Sequence, residues 1–463
     1  MPLSKSPAPP SNSHLTHYKT LGLLITLYLA QGLPAGFITQ ALPAILREYK
    51  VSLVAIGWSG LILVPWGLKF LWATVVDGYY SQKIGRAKSW ILPMQGLSIV
   101  ILIAVAFFEP HNLAQTRSVM TLYGMLFTLS LIGATHDVAT DGLATRLLKV
   151  AMAPKEPLTH DMPAPDSVTQ TPNHHHRQSQ GNAVQVIGYR LGLIIGGGVL
   201  LMLLEQWGWR NSFLAMAALV AMNTVPIVFF KEHTHTSVEP PQKQVQAVKS
   251  GSFKALKNYL SHHYQYFWSS REMLAWLGVL LTFKIADGIS SGMVKPMMVD
   301  VGLNLQQIGF WATILGSAAS VAGAGVATIL MKRLTRFTSL LYFNLAQALT
   351  TGLYGLVAYG FYHQLLTDFL WLYVVNALEH FCASLALIAM LTTIMHYSRP
   401  ANAGSDFTVQ VCLLTVLGGS AHFASGYMAH FLGYQWHFWV SMLIGFVCLA
   451  PIIYWHKLQN NEK

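Results

Sequence analysis

Four acids, two histidines and three cations stand in stretches that are otherwise apolar enough to cross a membrane: Asp137, Asp141, Asp287 and Glu379; His136 and His380; Lys69, Arg190 and Lys284. Each ionised group at the centre of a bilayer costs about 2.5–3.5 kcal/mol on insertion scales. A helix keeps such groups where they meet water, a partner charge or a polar cargo. The chemistry they offer is ion pairing and proton exchange. An acid beside a histidine occurs twice, as His136-Asp137 and Glu379-His380, and histidine titrates near neutral pH. Asp137 or Glu379 is therefore the expected proton-coupling acid. The competing reading makes each histidine a hydrogen-bonded residue of a helix contact.

Asp137 and Asp141 lie four residues apart inside Gly133–Lys149, so one helix face carries both. At 1.5 Å per residue, Lys69 and Asp137 fall at similar depth on neighbouring helices. Pairing would lower the cost of burying each; snorkelling of Lys69 to an interface is the alternative. Gln185, Tyr189 and Arg190 fall within one short stretch, and Lys284 and Asp287 are i, i+3 and able to neutralise each other. With Gln31, these residues form the expected substrate-binding and proton-coupling set.

The elements that must position them are membrane helices. Of 463 residues 53% are hydrophobic and 10% charged, against about 25% charged in soluble chains. Twelve apolar spans are expected at 19–46, 52–77, 89–108, 118–149, 181–204, 211–230, 273–299, 305–331, 337–361, 367–397, 405–430 and 437–455. Their continuous apolar runs lack the alternation of a β-barrel, so the fold class is all-α and polytopic. Residues 1–18 read as a tail, 19–230 as a first six-helix bundle, 231–272 as a linker, 273–455 as a second bundle and 456–463 as a second tail. Met1–His17 has no apolar core followed by a cleavage site.

The net charge of +11 would point to nucleic acid in a soluble protein. With the N-terminus in the cytoplasm, 21 of the 29 Lys and Arg fall in cytoplasmic segments, five on the far side and three inside helices. That is the positive-inside bias, and it predicts both termini in the cytoplasm and no nucleic-acid partner. Lys295 is counted among the far-side five. Within the longer connections, 151–180 holds five prolines and His174-His175-His176 and reads as a polar loop. Phe253, Leu256, Leu260, Tyr264 and Phe267 recur at helical spacing and read as an amphipathic helix on the inner membrane face or against the bundle. Cys382, Cys412 and Cys448 fit no disulfide framework or zinc spacing, and no metal or other cofactor is expected.

The chain also repeats itself. Gln31-Gly32-Leu33-Pro34-Ala35-Gly36 aligns with Asp287-Gly288-Ile289-Ser290-Ser291-Gly292, Pro43 with Pro296, and Ser52–Gly57 with Asn304–Gly309. A weaker echo joins Gly208–Phe213 to Gly433–Phe438. Two six-helix halves in the same orientation are therefore predicted, the parallel repeat described for major facilitator transporters. Glycines spaced along the fifth, eighth and eleventh spans suit close helix crossings, either static or sliding where the halves meet. Asp77 at the end of the second span, followed by Gly85 and Arg86 in a basic loop, resembles the loop signature of that superfamily. With Arg146 these residues are expected to form an ion-pair latch on the cytoplasmic side.

Gln-Gly-Leu-Pro-Ala-Gly-Phe at 31–37, Pro-Trp-Gly-Leu-Lys-Phe-Leu-Trp-Ala at 65–73 with Asp77 in the second span, Asp-Val-Ala-Thr-Asp-Gly-Leu-Ala at 137–144 and Gly-Tyr-Arg-Leu-Gly at 188–192 resemble one branch of the major facilitator superfamily. That branch holds AmpG-type muropeptide permeases, acetyl-CoA transporter relatives and RhtX/FptX-type siderophore importers. The stretch Gln31–Pro43 is most similar to the siderophore group. The resemblance implies a monomeric transporter of the bacterial inner membrane that imports a siderophore or its ferric complex, with a muropeptide permease as the second reading. Lys69, Arg190 and Lys284 suit an anionic cargo of either kind. No H-E-x-x-H, nucleophile elbow, P-loop or dinucleotide glycine pattern stands in a fitting context, so an enzyme or a non-transporting sensor is a remote reading.

Overall fold

The computed structural model describes residues 12–113, 115–150, 185, 187–232, 265–399 and 403–461. The polar loop at 151–180 with its histidine run, and the amphipathic stretch up to Tyr264, lie outside these residues. Among the described residues every regular element is helical.

Ten helical runs are long and apolar enough to cross a membrane. Two of them are double crossings. Ile187–Phe229 is broken at Gly208 (φ 72°, ψ 173°) and Asp406–Asn460 at Gly433 (φ 73°, ψ 166°). Only glycine adopts this backbone readily, and it turns the chain back on itself. Twelve crossings result. We label them α1 (Lys19–Glu48), α2 (Leu53–Leu71), α3 (Lys88–Ala106), α4 (Thr116–Ala144), α5 (187–207), α6 (209–229), α7 (Arg271–Asp300), α8 (Leu305–Leu330), α9 (Arg336–Tyr362), α10 (Leu370–His396), α11 (406–432) and α12 (434–460). Large apolar side chains such as Val100, Met222, Val225, Phe229, Leu356 and Val447 face outward, as a lipid-facing surface requires.

The repeat has a physical counterpart. Ser52 caps α2 by accepting from Ala55 N at 3.3 Å, and the aligned Asn304 caps α8 with a reciprocal capping box to Gln307. Both caps satisfy backbone donors that a helix start leaves open. Gly208 and Gly433, aligned in the weaker echo, share one φ/ψ conformation. The chain thus has two six-helix halves in parallel arrangement, the major facilitator architecture.

Several helices depart from regular winding. The second span, expected as one helix over 52–77, is Leu53–Gly57, a 3₁₀ stretch Trp58–Leu63, Val64–Leu68, a 3₁₀ turn Lys69–Leu71 and Ala73–Gly78. Its Gly57, Gly60, Pro65 and Gly67 are weak helix formers, and Pro65 lacks the amide an interior helix position requires. Wide π-turns interrupt α1 at Phe37–Ala41, α5 at Ile194–Val199 and α8 at Ile308–Ile314; such turns re-aim side chains. α7 breaks at Lys284, between Arg271–Phe283 and Ile285–Asp300. The final helix continues to Asn461, beyond the expected limit at 455.

Candidate transport site between the halves

α1, α2, α4 and α5 build a charged cluster in the first half. Lys69, in the 3₁₀ turn of α2, forms an ion pair with Asp137 of α4. One turn further along α4, Asp141 accepts from the Tyr28 hydroxyl of α1 at 2.8 Å and from Gln185 Nε2 at 3.4 Å. The spacing of the two acids on one face brings both toward α1 and α2. The cluster keeps some access to water: 19% of the Lys69 side chain is exposed, against 9% for Asp137. Tyr28 is absent from the sequence-derived set because an aromatic in an apolar helix carries no charge signal.

In the second half, the break in α7 lets Lys284 turn onto its own helix. It donates to Asp287 at 2.6 Å, and Gln347 of α9 donates to the other carboxylate oxygen at 2.8 Å. Glu379 and His380 of α10 stand on the same side. A cavity of about 460 Å³ lies between the halves. Tyr189 of the first half and Lys284, Asp287, Glu379 and His380 of the second line it. So do polar residues outside the expected set, among them Gln40, Ser59, Lys295 and His422. Ser59 Oγ lies 3.1 Å from His422 Nε2 across the two halves.

Lys69, Asp137, Asp141 and Arg190 are not part of the lining of this cavity, and Arg190, which follows Tyr189, is half-buried. Gln31 and His136 go elsewhere. They share a small chamber inside the first half with Gln95 and Ser130, and the side chains of Gln31, Gln95 and Ser130 and Nε2 of His136 have no hydrogen-bond partner among the described residues. Lys295 corrects the charge count made from sequence. It is 8% exposed and lies in the cavity wall rather than in a far-side loop. It follows Lys284 by eleven residues, about three helical turns, so one face of α7 carries both.

At the distal end, where α1 and α7 finish, the halves close on each other. Arg47 Nε donates to Asp300 at 2.7 Å, and the Tyr434 hydroxyl donates to its other oxygen at 2.6 Å. Gln306 N donates to Glu205 at 3.2 Å. α2 crosses α11 through Gly57–Gly426 and Gly60–Gly419, and α5 crosses α8 through Gly198–Gly309, close enough that a Cβ on Gly57, Gly60 or Gly198 would fall within 3 Å of the opposing backbone. The Arg47–Asp300 pair is partly exposed, so its contribution is modest, on the order of 1 kcal/mol. Asp300→Asn is accordingly expected to shift the distal-closed to distal-open ratio about fivefold toward open. Labelling of a Ser291→Cys probe by an impermeant reagent added from the distal side would measure it. An unchanged rate would exclude a role for this contact in closure.

The expected latch residues gather at the opposite, proximal end. Arg146 Nη2 lies 3.1 Å from Glu232, whose carboxylate also accepts from Ala87 N and Lys88 N at the start of α3. Gly85 (φ 110°) leaves room for Glu232, and Arg86 lies over the Tyr80 ring at 5.7 Å. These groups all belong to the first half. Asp77 sits in the short helix Ala73–Gly78, and its side chain lies outside the described part of the structure. Glu232 escaped the sequence reading because nothing local marks an acid some 86 residues beyond Arg146 as its partner.

The fold matches that of solved transporters. Over 95% of this chain and 96% of the other, it superposes with a TM-score of 0.65 on a POT family transporter in complex with thioalcohol-conjugated peptide, at 12% identity. A D-xylose–proton symporter matches with a TM-score of 0.64, also at 12% identity, over 95% and 97%. The chain is a multi-pass membrane protein with the major facilitator fold. Residues 20–153 match the family profile described as Acetyl-coenzyme A transporter 1. The chain is also 26% identical over 401 residues to the anhydromuropeptide permease of Escherichia coli K12, covering 85% of this chain and 71% of that protein. The chain thus has the major facilitator fold and is similar in sequence to the AmpG permeases.

Proposed function

We propose that the chain is a secondary active importer of the bacterial inner membrane, with both termini cytoplasmic, that moves a muropeptide-like cargo by alternating access. The observation that carries transport is the cavity between two parallel six-helix halves, with ionisable side chains from the second half and polar ones from both. The cargo rests on the anhydromuropeptide permease, similar along most of this chain. It replaces siderophore import as the leading reading, since none of the relatives described above is a siderophore carrier. Protons drive uptake through Asp137 or Glu379. Asp77, Gly85, Arg86 and Arg146, joined by Glu232, act as a latch at the cytoplasmic face.

Counterflow of labelled anhydromuropeptide in proteoliposomes tests this. Exchange that depends on the protein and is competed by unlabelled anhydromuropeptide is the expected result. Counterflow of a ferric siderophore without counterflow of the muropeptide would return the cargo to the first reading. Binding without counterflow of either would identify a sensor.

A further inference from the structure

We propose that Lys295 and Gln40 form an anion-recognition point in the cavity wall, where a carboxylate of the cargo docks. The proposal deepens the transport reading and rests on it for its place in a cycle. The Lys295 ammonium donates to Gln40 Oε1 at 2.6 Å. An ammonium has three donors, and among the described residues no carboxylate lies within ion-pair distance of this one. The other two lysines inside the membrane spans differ: Lys69 has Asp137 and Lys284 has Asp287, while half-buried Lys88, at the start of α3, donates to the Val228 and Phe230 carbonyls. Asp287 already accepts from both Lys284 and Gln347. A buried cation with a single neutral partner bears an uncompensated desolvation cost that an incoming anion relieves.

Gln40 is placed for the second contact. The π-turn Phe37–Ala41 carries it, and Gly197 makes its seat, since a Cβ there would stand 2.6 Å from Gln40 Cβ. Its amide gives Oε1 to Lys295 and leaves Nε2 to donate to an oxygen docked beside the ammonium. A carboxylate with two oxygens meets both, a charge-assisted bond from Lys295 and a neutral one from Gln40. A neutral amide or hydroxyl would satisfy geometry and leave the charge. The two residues belong to opposite halves, α1 and α7, so an anion seated there touches both and binds best when the distal ends are together.

The test uses the full-length protein in lipid nanodiscs. Thermal unfolding is followed with N-acetylalanine and with the neutral N-acetylalaninamide at matched concentration. The acid alone is expected to raise Tm in the wild type and in Lys295→Arg, and to lose that effect in Lys295→Gln. If acid and amide act alike in the wild type, or the preference persists in Lys295→Gln, the anion point is wrong. If Lys295→Gln does not fold, Gln40→Ala provides the second variant, expected to weaken the acid's effect and leave the amide's absent; an unweakened effect counts against the proposal. A parallel arm compares an anhydromuropeptide with its peptide carboxylate free or amidated, where about tenfold tighter binding of the free acid is expected. Loss of all muropeptide binding, with the acetylalanine response intact, would overturn the cargo and leave the anion point standing.

Discussion

Glu379→Gln is expected to abolish gradient-driven accumulation, by tenfold or more, while leaving counterflow intact, and Asp137→Asn is expected to do the same. The two acids sit on corresponding helices of the two halves, α4 and α10, at membrane depth. The amides keep shape and hydrogen-bonding capacity and remove only the exchangeable proton. Stability decides which variant gives the cleaner result. Glu379 has no cation within ion-pair distance among the described residues, so Glu379→Gln removes a charge from the cavity wall and is expected to change folding by less than about 1 kcal/mol. Asp137 is bonded to Lys69. Asp137→Asn leaves that ammonium with a neutral acceptor, and breaking a buried pair from one side typically costs about 3–5 kcal/mol. The control is the double substitution Lys69→Met with Asp137→Leu, which removes both charges and should recover most of the lost thermal stability without recovering uptake. Gradient-driven uptake that survives in both single variants would dismiss proton coupling through these acids. Recovery of uptake in the double variant would show that only the uncompensated charge mattered.

Distances along a helix are legible in sequence, because 1.5 Å per residue fixes depth once the span is known. That is why depth counting sets Lys69 beside Asp137, and why the i, i+3 spacing sets Lys284 beside Asp287. The repeat was legible for a similar reason: capping and chain reversal are local, so Ser52 and Asn304, or Gly208 and Gly433, carry the same instruction in each half. Rotation about the helix axis is a different matter. It depends on which neighbours surround a helix, and no local rule supplies them. Gln31 and His136 therefore looked like cavity residues and lie in a separate chamber, while Lys295 looked like a loop charge and lies in the cavity wall. The winding of α2 was hidden too. Its glycines and Pro65 announce weakness, but the 3₁₀ stretch forms where Gly57 and Gly60 press against α11, a contact made by another half of the chain. Glu232 illustrates the same limit at the proximal end.

Close helix crossings within a half and between halves look alike in sequence, yet substitution should separate them. A Cβ at Gly192 would lie 2.5 Å from Gly32 Cα, and one at Gly426 would lie 2.3 Å from Leu53 O. Each collision is with backbone, which cannot step aside as a flexible side chain does, and overpacking of this kind typically costs about 1–3 kcal/mol or more. The α1–α5 crossing at Gly192 joins helices of one half and must persist for that half to stay folded. Gly192→Val is therefore expected to lower Tm sharply or prevent accumulation in the membrane. The α2–α11 crossing at Gly426 joins different halves and must part in each cycle if the distal side opens. Gly426→Val is expected to fold with nearly unchanged Tm and to lose transport by tenfold or more. Labelling of the Ser291→Cys probe from the distal side should then rise well beyond the fivefold expected of Asp300→Asn, because a steric wedge forbids the closed contact that the ion pair only favours. Wild-type transport in Gly426→Val would mean that α2 and α11 need not meet so closely, and would remove this crossing from the closure of the distal end.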